Sequence, residues 1–564
     1  MTNKAIASVF KETADLIELT GGNAFRARAF SRAARTIERM EDAIADLHAS
    51  DELTAVDGIG DGLAAQIDEL LTTGSFTDHE ELQAALPPGL PDVMQVKGLG
   101  AKKVRRLWQE LDITSLDELE QAARAGAIAS LSGFGKKTQQ NIIENVQQLR
   151  AYQQRRRYAD AHTQAAPVLA ALREADAVAR AELSGPVRRQ MSTVDRVDLL
   201  LQLTPGANLA DLLSTAGLED VAPTDAGATG TLPDGLPVHV TTTSPERFGT
   251  AWWAQTGPDA HIAAFTEAHG APGDQSDEEA VYSMAGLAPV PPELRDDAYW
   301  LEAAADGALP TLITLEDLRG TLHNHSTYSD GAHTLQEMAE AARSRGYQYF
   351  GICDHSRSLN VANGLSIDEV KRQQEEIRQL NATFAQAGDP PFRIFSGMES
   401  DILKDGSLDY PEEVLASFDF VVASVHSGFN MTEAEATERV VTAVANPYTT
   451  ILGHPTGRLL LRREGYPLNH ERVIEACAAH GVALELNANP YRLDVDWRWI
   501  RQATEAGVLI SINPDAHSTQ QLDVMRWGVA AARKGGLTAA QCLNAKSLEN
   551  FAAWLDARSS VASA

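Results

Sequence analysis

The stretch Gly320-Thr321-Leu322-His323-Asn324-His325 decides the reading of the C-terminal half of the chain. An apolar run ends in two histidines at alternate positions, and on a strand alternate side chains share a face, so both imidazoles are expected to serve one metal. From Leu318 nearly to the end, short apolar strands alternate with amphipathic helices, the pattern of an α/β fold that closes into a barrel. Ligand types recur where those strands end. Asp330 lies in Tyr328-Ser329-Asp330-Gly331, His355 follows Gly351-Ile352-Cys353-Asp354, and Glu399 follows Gly397-Met398. His426 follows Val421-Val422-Ala423-Ser424-Val425, His454 follows Ile451-Leu452-Gly453, and Asp515-Ala516-His517 closes the run from Leu509 to Pro514. Side chains at the carboxyl ends of successive strands converge on one mouth of a barrel. A lone histidine says little, but this ordered mixture of imidazole and carboxylate suits Zn²⁺ or Mn²⁺. Clustered ions of that kind activate water at neutral pH and neutralise a leaving oxygen.

The rest of the composition bounds the answer. A chain of 564 residues suggests three or four domains at roughly 150 residues each. With 44% hydrophobic and 22% charged residues it can bury several cores, which excludes disorder throughout. No apolar stretch of about 18 residues exists, and the start lacks the layout of a secretory signal, so a cytoplasmic protein with no membrane partner is expected. Cys353, Cys477 and Cys542 are far apart and form no Cys-x-x-Cys pair, which points to reduced thiols. A net charge of −30 excludes wrapping nucleic acid over the whole surface. The charge is uneven, however. Residues 93–157 hold twelve Lys/Arg against six Asp/Glu, whereas residues 1–92 hold seven against seventeen.

An internal repeat runs through residues 56–135, and its second and third copies lie in that basic segment. Val56-Asp57-Gly58-Ile59-Gly60, Val96-Lys97-Gly98-Leu99-Gly100 and Leu131-Ser132-Gly133-Phe134-Gly135 share an apolar residue, a spacer and Gly-apolar-Gly at the head of a helical stretch. Each resembles a helix-hairpin-helix turn, in which glycines permit a tight bend and amides at a helix N-terminus face a DNA phosphate. Lys102 and Lys103 follow Gly98 and Gly100, and Lys136 and Lys137 follow Gly133 and Gly135, adding counter-charge. The first copy has Asp61 there instead. Upstream, Phe25 to Arg35 is an arginine-rich helix that reads as a solvated face.

Residues 320–517 resemble the polymerase and histidinol phosphatase (PHP) domain, with every member of the set His-x-His, Asp, His, Glu, His, His and Asp-x-His present. The resemblance implies a distorted (β/α)7-type barrel with two or three Zn²⁺ or Mn²⁺ ions that cleaves phosphate esters. It assigns His323, His325, Glu399 and Asp515 to one ion, Glu399, His426 and His454 to a second, and Asp330, His355 and His517 to a third. Arg458, in Gly453-His454-Pro455-Thr456-Gly457-Arg458, matches a run typical of the family and would clamp phosphate.

The order helix-hairpin-helix units, mixed region, PHP domain is similar to bacterial family-X DNA polymerases over essentially the whole chain. The implied layout is an all-α DNA-binding region at 1–157, an α+β nucleotidyltransferase-like palm and thumb region at 158–317, and the α/β PHP barrel at 318–564. In that family polymerase chemistry needs G-S-x-R-R, then D-x-D on a strand and a third Asp on a neighbouring strand. Here Gly185, Arg188 and Arg189 remain as a nucleotide-binding remnant, but Pro186 replaces the serine. Asp198 is kept, Arg196 stands at the first aspartate, Asp195 is expected on the opposite strand face, and His239 falls at the third position. A cation among the ligands opposes a Mg²⁺ pair by charge as well as by the lost oxygen. Lys4 and Lys11 are the lysines before Lys97, and neither sits in a recognisable lyase site.

The expected function is DNA repair on gapped, nicked or damaged duplex, by a monomer whose PHP domain acts as a 3′-5′ exonuclease or incises abasic sites, with polymerase activity weak or lost. The alternatives are an active gap-filling polymerase and a small-molecule phosphatase of the histidinol phosphatase kind. A DNA-bound scaffold would need purely structural metals.

Overall fold

The computed structural model describes residues 1–564 except 2, 41–43, 57, 389 and 563–564, so Asp57 of the first hairpin turn lies outside the described residues, as does the side chain of Lys4. The chain forms two compact units, 1–153 and 154–564.

The first unit is helical. Phe10, Phe30 and Phe76 meet at ring distances of 5.2 to 6.1 Å and centre one core, which draws helices Asn3–Thr20 and Ala24–Arg39 together. A second core forms around Leu90, Val93, Val104, Leu107, Ile142 and Val146. The three Gly-apolar-Gly turns have one construction. Gly58, Gly98 and Gly133 take φ of +86°, +88° and +83°, a left-handed conformation costly to any residue with a Cβ. The apolar residue between the glycines, Ile59, Leu99 or Phe134, plugs into the core. Helices Asp61–Thr73, Ala101–Leu111 and Lys136–Gln153 then begin directly after the second glycine.

The second unit holds two large sheets and a short antiparallel pair, Arg156–Arg157 with Thr193–Val194. Strands β1 (Val178–Ser184), β2 (Val197–Leu203), β3 (Glu219–Thr224), β4 (Gly227–Thr231) and β5 (Pro237–Thr242) form a mixed sheet in the order β1-β2-β5-β4-β3. Seven parallel strands follow: β6 (Gly320–Thr321), β7 (Tyr349–Ile352), β8 (Arg393–Asp401), β9 (Phe420–Ser424), β10 (Ile451–Leu452), β11 (Ala483–Asn487) and β12 (Ile510–Asn513). They lie in chain order, nearly every residue buried, as expected of parallel strands covered by helices. The ends of this sheet approach each other. Asn324 pairs with Ala516 just beyond β6 and β12, so the barrel is nearly closed. Among the described residues no helix is long and apolar enough to cross a membrane.

The mixed sheet region and the barrel are packed together through charged side chains. Lys534, fully buried at the end of helix Met525–Lys534, donates to the carboxylate of Asp296 and to the carbonyls of Arg189 and Glu293 at 3.1 and 3.3 Å. Arg157 stacks on Tyr491 with its guanidinium carbon 3.6 Å from the ring centroid. Removing one partner from a buried pair strands the other, so Lys534→Ala should destabilise this unit by about 3 kcal/mol in urea unfolding. A loss below ~1 kcal/mol would show that Arg189 alone satisfies Asp296.

Candidate metal centre and nucleic-acid interface

The near-closure of the barrel places the first and last ligand pairs side by side. The His325 amide donates to the Ala516 carbonyl at 2.8 Å, so His323-Asn324-His325 runs beside Asp515-Ala516-His517. The histidines converge by a different route from strand alternation. Strand β6 ends at Thr321, and His323 beyond it takes φ +60°, as Asp515 takes φ +53°. These two left-handed residues turn the chain so that both imidazoles reach Asp515, with His325 Nε2 at 3.1 Å and His323 Nε2 at 3.7 Å from Oδ1.

Glu399 is the hub. Its Oε1 lies 3.2 Å from His323 Nε2, 3.1 Å from His426 Nε2 and 3.0 Å from His454 Nε2, and its Oε2 lies 2.8 Å from His355 Nδ1. Asp330 completes the outer side, 3.5 Å from His355 and 3.4 Å from His517. The nine residues nominated at the strand ends therefore meet in four overlapping groups able to hold an ion. These are His323/His325/Asp515, His323/Glu399/His454, His355/Glu399/His426 and His325/Asp330/His355/His517. Glu399 belongs to two groups and could bridge them; His323, His325 and His355 are shared in the same way.

The donor set fits metal ions. His323 Nε2, His325 Nδ1, His355 Nδ1, His454 Nδ1 and Glu399 Oε2 are buried with no partner aligned for a hydrogen bond, the 2.8 Å approach of His355 Nδ1 to Glu399 Oε2 included. Such groups cost roughly 1–3 kcal/mol each unless something satisfies their lone pairs. The electrostatics are correspondingly tense. Burial works against the charged form of His323, but Glu485, Glu399 and Asp515 outweigh it and hold its pKa well above the usual range. Burial likewise opposes charge on His426, yet Glu399 and Asp401 raise it to about 10. His325 goes the other way, to about 3, through burial and then its neighbours His517 and His355. Glu399 and Asp515 stay far below the normal carboxylate range, the imidazoles overcoming burial.

Arg458 is turned away from this cluster. Its Nη1 donates to Asp496 at 2.5 Å, its Nε to the Arg492 carbonyl at 2.9 Å, and its Nη2 to the Leu493 carbonyl. Among the described residues, the guanidinium in ion-pair range of a cluster carboxylate belongs to Arg492, whose Nε is 3.6 Å from Asp515 Oδ2.

At the hairpins, Lys102, Lys103, Lys136 and Lys137 are exposed beside Gly98, Gly100, Gly133 and Gly135. A Cβ at Gly98, Gly100 or Gly135 would meet nothing within 4 Å, so the glycine backbone is open to a ligand. Lys103 Nζ donates to the Gly98 carbonyl at 2.8 Å.

In the mixed sheet, Asp198 on β2 pairs in register with His239 on β5. Arg196 Nε donates to both oxygens of Asp198, at 3.0 and 3.1 Å. Asp195 does not lie on the opposite face of a regular strand, because residues 195 and 196 fall between the pairing strand Thr193–Val194 and β2. Its carboxylate stands 3.8 Å from Arg196 Nη1, so two aspartates flank one guanidinium. Gly185, at φ +60°, lets Asp198 approach so closely that a Cβ would sit 2.0 Å from its Oδ2. Arg188 is engaged by Glu278 and Thr256 and stacks on Trp252, and Arg189 is held by Asp296 and the Thr256 carbonyl.

Comparison with known proteins identifies the parts. Residues 1–76 match a helix-hairpin-helix domain, residues 90–148 a SAM-like helix-hairpin-helix tandem, and residues 321–522 the PHP domain. The chain is 34% identical to the DNA polymerase/3′-5′ exonuclease PolX of Bacillus subtilis strain 168, over 98% of this chain and 99% of that protein. The chain belongs to the bacterial PolX family. The PHP segment alone is also similar to proteins described as probable phosphatases. One from Thermoanaerobacter sp. strain X514 is 26% identical over 39% of this chain and 88% of its own length. Another, from Acetivibrio thermocellus, is 30% identical over 35% and 78%.

As a PolX enzyme the chain also holds supporting residues that strand-end reasoning passes over. Glu485 takes His323 Nδ1 at 2.6 Å and Asp401 takes His426 Nδ1 at 2.6 Å, fixing each ring. Asp354 accepts from the Ser326 amide and Oγ at 2.8 and 2.7 Å, from Gln373 and from Ser329, which anchors the loop leading to Asp330. Sequence did carry a signal for two of them. Asp401 lies two residues from Glu399 on β8 and so shares its face, and Glu485 is a carboxylate between Leu484 and Leu486 on a buried strand. Glu485→Gln and Asp401→Asn should each weaken metal affinity roughly 10–100-fold in chelator competition, with the fold intact. Unchanged affinity in both would remove these carboxylates from the centre.

Proposed function

We propose that this PolX chain is a metal-dependent DNA repair nuclease whose PHP barrel cleaves phosphodiesters. The observation that carries the reading is the gathering of nine imidazole and carboxylate residues into four overlapping groups around Glu399, five of them with a buried polar atom that has no hydrogen-bond partner. Two or three Zn²⁺ or Mn²⁺ ions held there would lower the pKa of water and neutralise the leaving oxygen. His323, His325, His454, Glu399 and Asp515 are sealed from solvent, whereas the side chains of Asp330 and His517 are about one-third exposed, so substrate enters from their side. Glu485 and Asp401 keep the His323 and His426 rings turned inward. The exonuclease in the name of the Bacillus relative supports 3′-end trimming over abasic-site incision.

Three segments divide the work in this reading. Residues 1–157 hold gapped, nicked or damaged duplex through the Gly98, Gly100, Gly133 and Gly135 turns and their lysines. Residues 158–317 keep a polymerase-like frame, and residues 318–564 cut. The enzyme acts as a monomer in the bacterial cytoplasm. Polymerase activity is weak or lost, a view supported by Arg196, which occupies the carboxylate of Asp198 where a magnesium ion would bind, and by the internal pairing of Arg188 and Arg189.

His323→Ala or Asp515→Ala should abolish release of nucleotides from DNA, and wild-type cleavage by either variant would refute the reading. Preference for a small phosphate monoester over DNA would reassign the barrel to phosphatase chemistry. Replacing Lys102, Lys103, Lys136 and Lys137 by Glu should weaken duplex binding and flatten its salt dependence, each lost phosphate contact reducing the slope by roughly 0.9. Unaltered affinity at moderate salt would put the DNA elsewhere. Gap filling by the His323→Ala variant, free of nuclease, should be absent or very slow, with a gain when Arg196→Asp and His239→Asp are added together. Extension at the rate of an ordinary repair polymerase would show that Asp195 and Asp198 still hold magnesium.

A further inference from the structure

Arg492 stands at the edge of the metal centre for a reason that metal binding does not supply. Its Nε lies 3.6 Å from Asp515 Oδ2, while Oδ1 of the same carboxylate faces His325. A cation beside a ligand carboxylate repels the ions which that carboxylate would hold, so Arg492 lowers metal affinity rather than raising it. An anion shared between a dication and a guanidinium reverses the sign, because both attract its oxygens and the planar fork matches a phosphate. Among the described residues, the two terminal nitrogens of Arg492 make no protein hydrogen bond, although the side chain is only 20% exposed. They are free to take a ligand. Arg458 has no such freedom, since all three of its nitrogens are spent on residues 492–496.

The loop 489–496 that bears Arg492 is tied down from several sides. The Asn487 amide donates to the Asp494 carbonyl at 2.6 Å, and the Leu460 amide to the Tyr491 carbonyl at 2.6 Å. Thr456 donates through its amide and hydroxyl to Asp494 Oδ2, at 3.1 and 3.0 Å. Arg458 grips the carbonyls of Arg492 and Leu493. So much restraint on the backbone of one arginine fixes the point from which its side chain extends, and the approach of Nε to Asp515 directs it to the cluster before substrate arrives, which is how a charged group contributes most to a reaction. Given the phosphodiesterase reading above, we infer that Arg492 binds a non-bridging oxygen of the scissile phosphate, and that Arg458 is the positioning residue that holds it there.

The test compares Arg492→Ala, Arg492→Lys, Arg458→Ala and the Arg458→Ala/Arg492→Ala double variant in the full chain, with His323→Ala as control. Arg492→Ala should lower kcat/KM on DNA roughly 10²–10³-fold. Arg492→Lys should recover part of the loss, because an ammonium keeps the charge without the fork. Calorimetric affinity of the metal-loaded protein for deoxyadenosine 5′-monophosphate should fall at least about tenfold in Arg492→Ala, with bound metal unchanged. Arg458→Ala should act in the same direction and add nothing in the double variant, a non-additive cycle. Full kcat/KM with undiminished nucleotide affinity in Arg492→Ala would overturn the assignment, and so would loss of bound metal, which would make Arg492 a support of the centre. Independent, additive effects would overturn the role given to Arg458. Cleavage surviving in His323→Ala would instead refute the phosphodiesterase reading itself.

Discussion

Backbone hydrogen bonds from the His325 amide to the Ala516 carbonyl and from the Ala332 amide to the His517 carbonyl join the two ends of a seven-stranded parallel sheet and thereby assemble the ligand cluster. Without that closure the His-x-His and Asp-x-His segments would lie at opposite edges of an open sheet. With it, ligands from the ends of successive strands gather around the buried Glu399, with Asp330 and His517 on the side that meets solvent. Burying an ion costs several kcal/mol even after relaxation, and here carboxylates and imidazoles repay it only by lying within about 4 Å of one another. The left-handed backbone at His323 and Asp515 adds a further cost of roughly 1–2 kcal/mol each. A site that stores this much unfavourable interaction is arranged for something other than stability.

The same economy of charge explains the outer ring. Glu485, Asp401 and Asp354 each satisfy their oxygens on ring nitrogens, hydroxyls or amides of the ligand-bearing segments, so the ligands are aimed before an ion arrives. In the mixed sheet, by contrast, the charges are self-satisfied. Arg196 saturates Asp198, Glu278 and Asp296 take Arg188 and Arg189, and Asp296 also takes Lys534. These pairs link the sheet region to the barrel within one compact unit.

Much of this was legible in the chain itself, because ligands at strand ends need only periodicity and order to be seen. Nine such residues, spread from His323 to His517, come together in space. The three Gly-apolar-Gly turns were equally visible, since a left-handed residue at a helix start demands glycine. Orientation was harder to read. The expectation that His323 and His325 share a strand face gave way to a turn, and Asp195 escaped its expected face because the strand breaks at 195–196. Arg458 and Arg492 look alike in sequence. Only their neighbours show that one is spent on a loop while the other faces the cluster.

A polynuclear metal centre around Glu399 is revealed by the number of ions the chain binds. Elemental analysis of the purified full-length chain should find two to three transition-metal ions per molecule, bound stoichiometrically and retained through gel filtration. One ion per chain, or none, after reconstitution with Zn²⁺ or Mn²⁺ would contradict it.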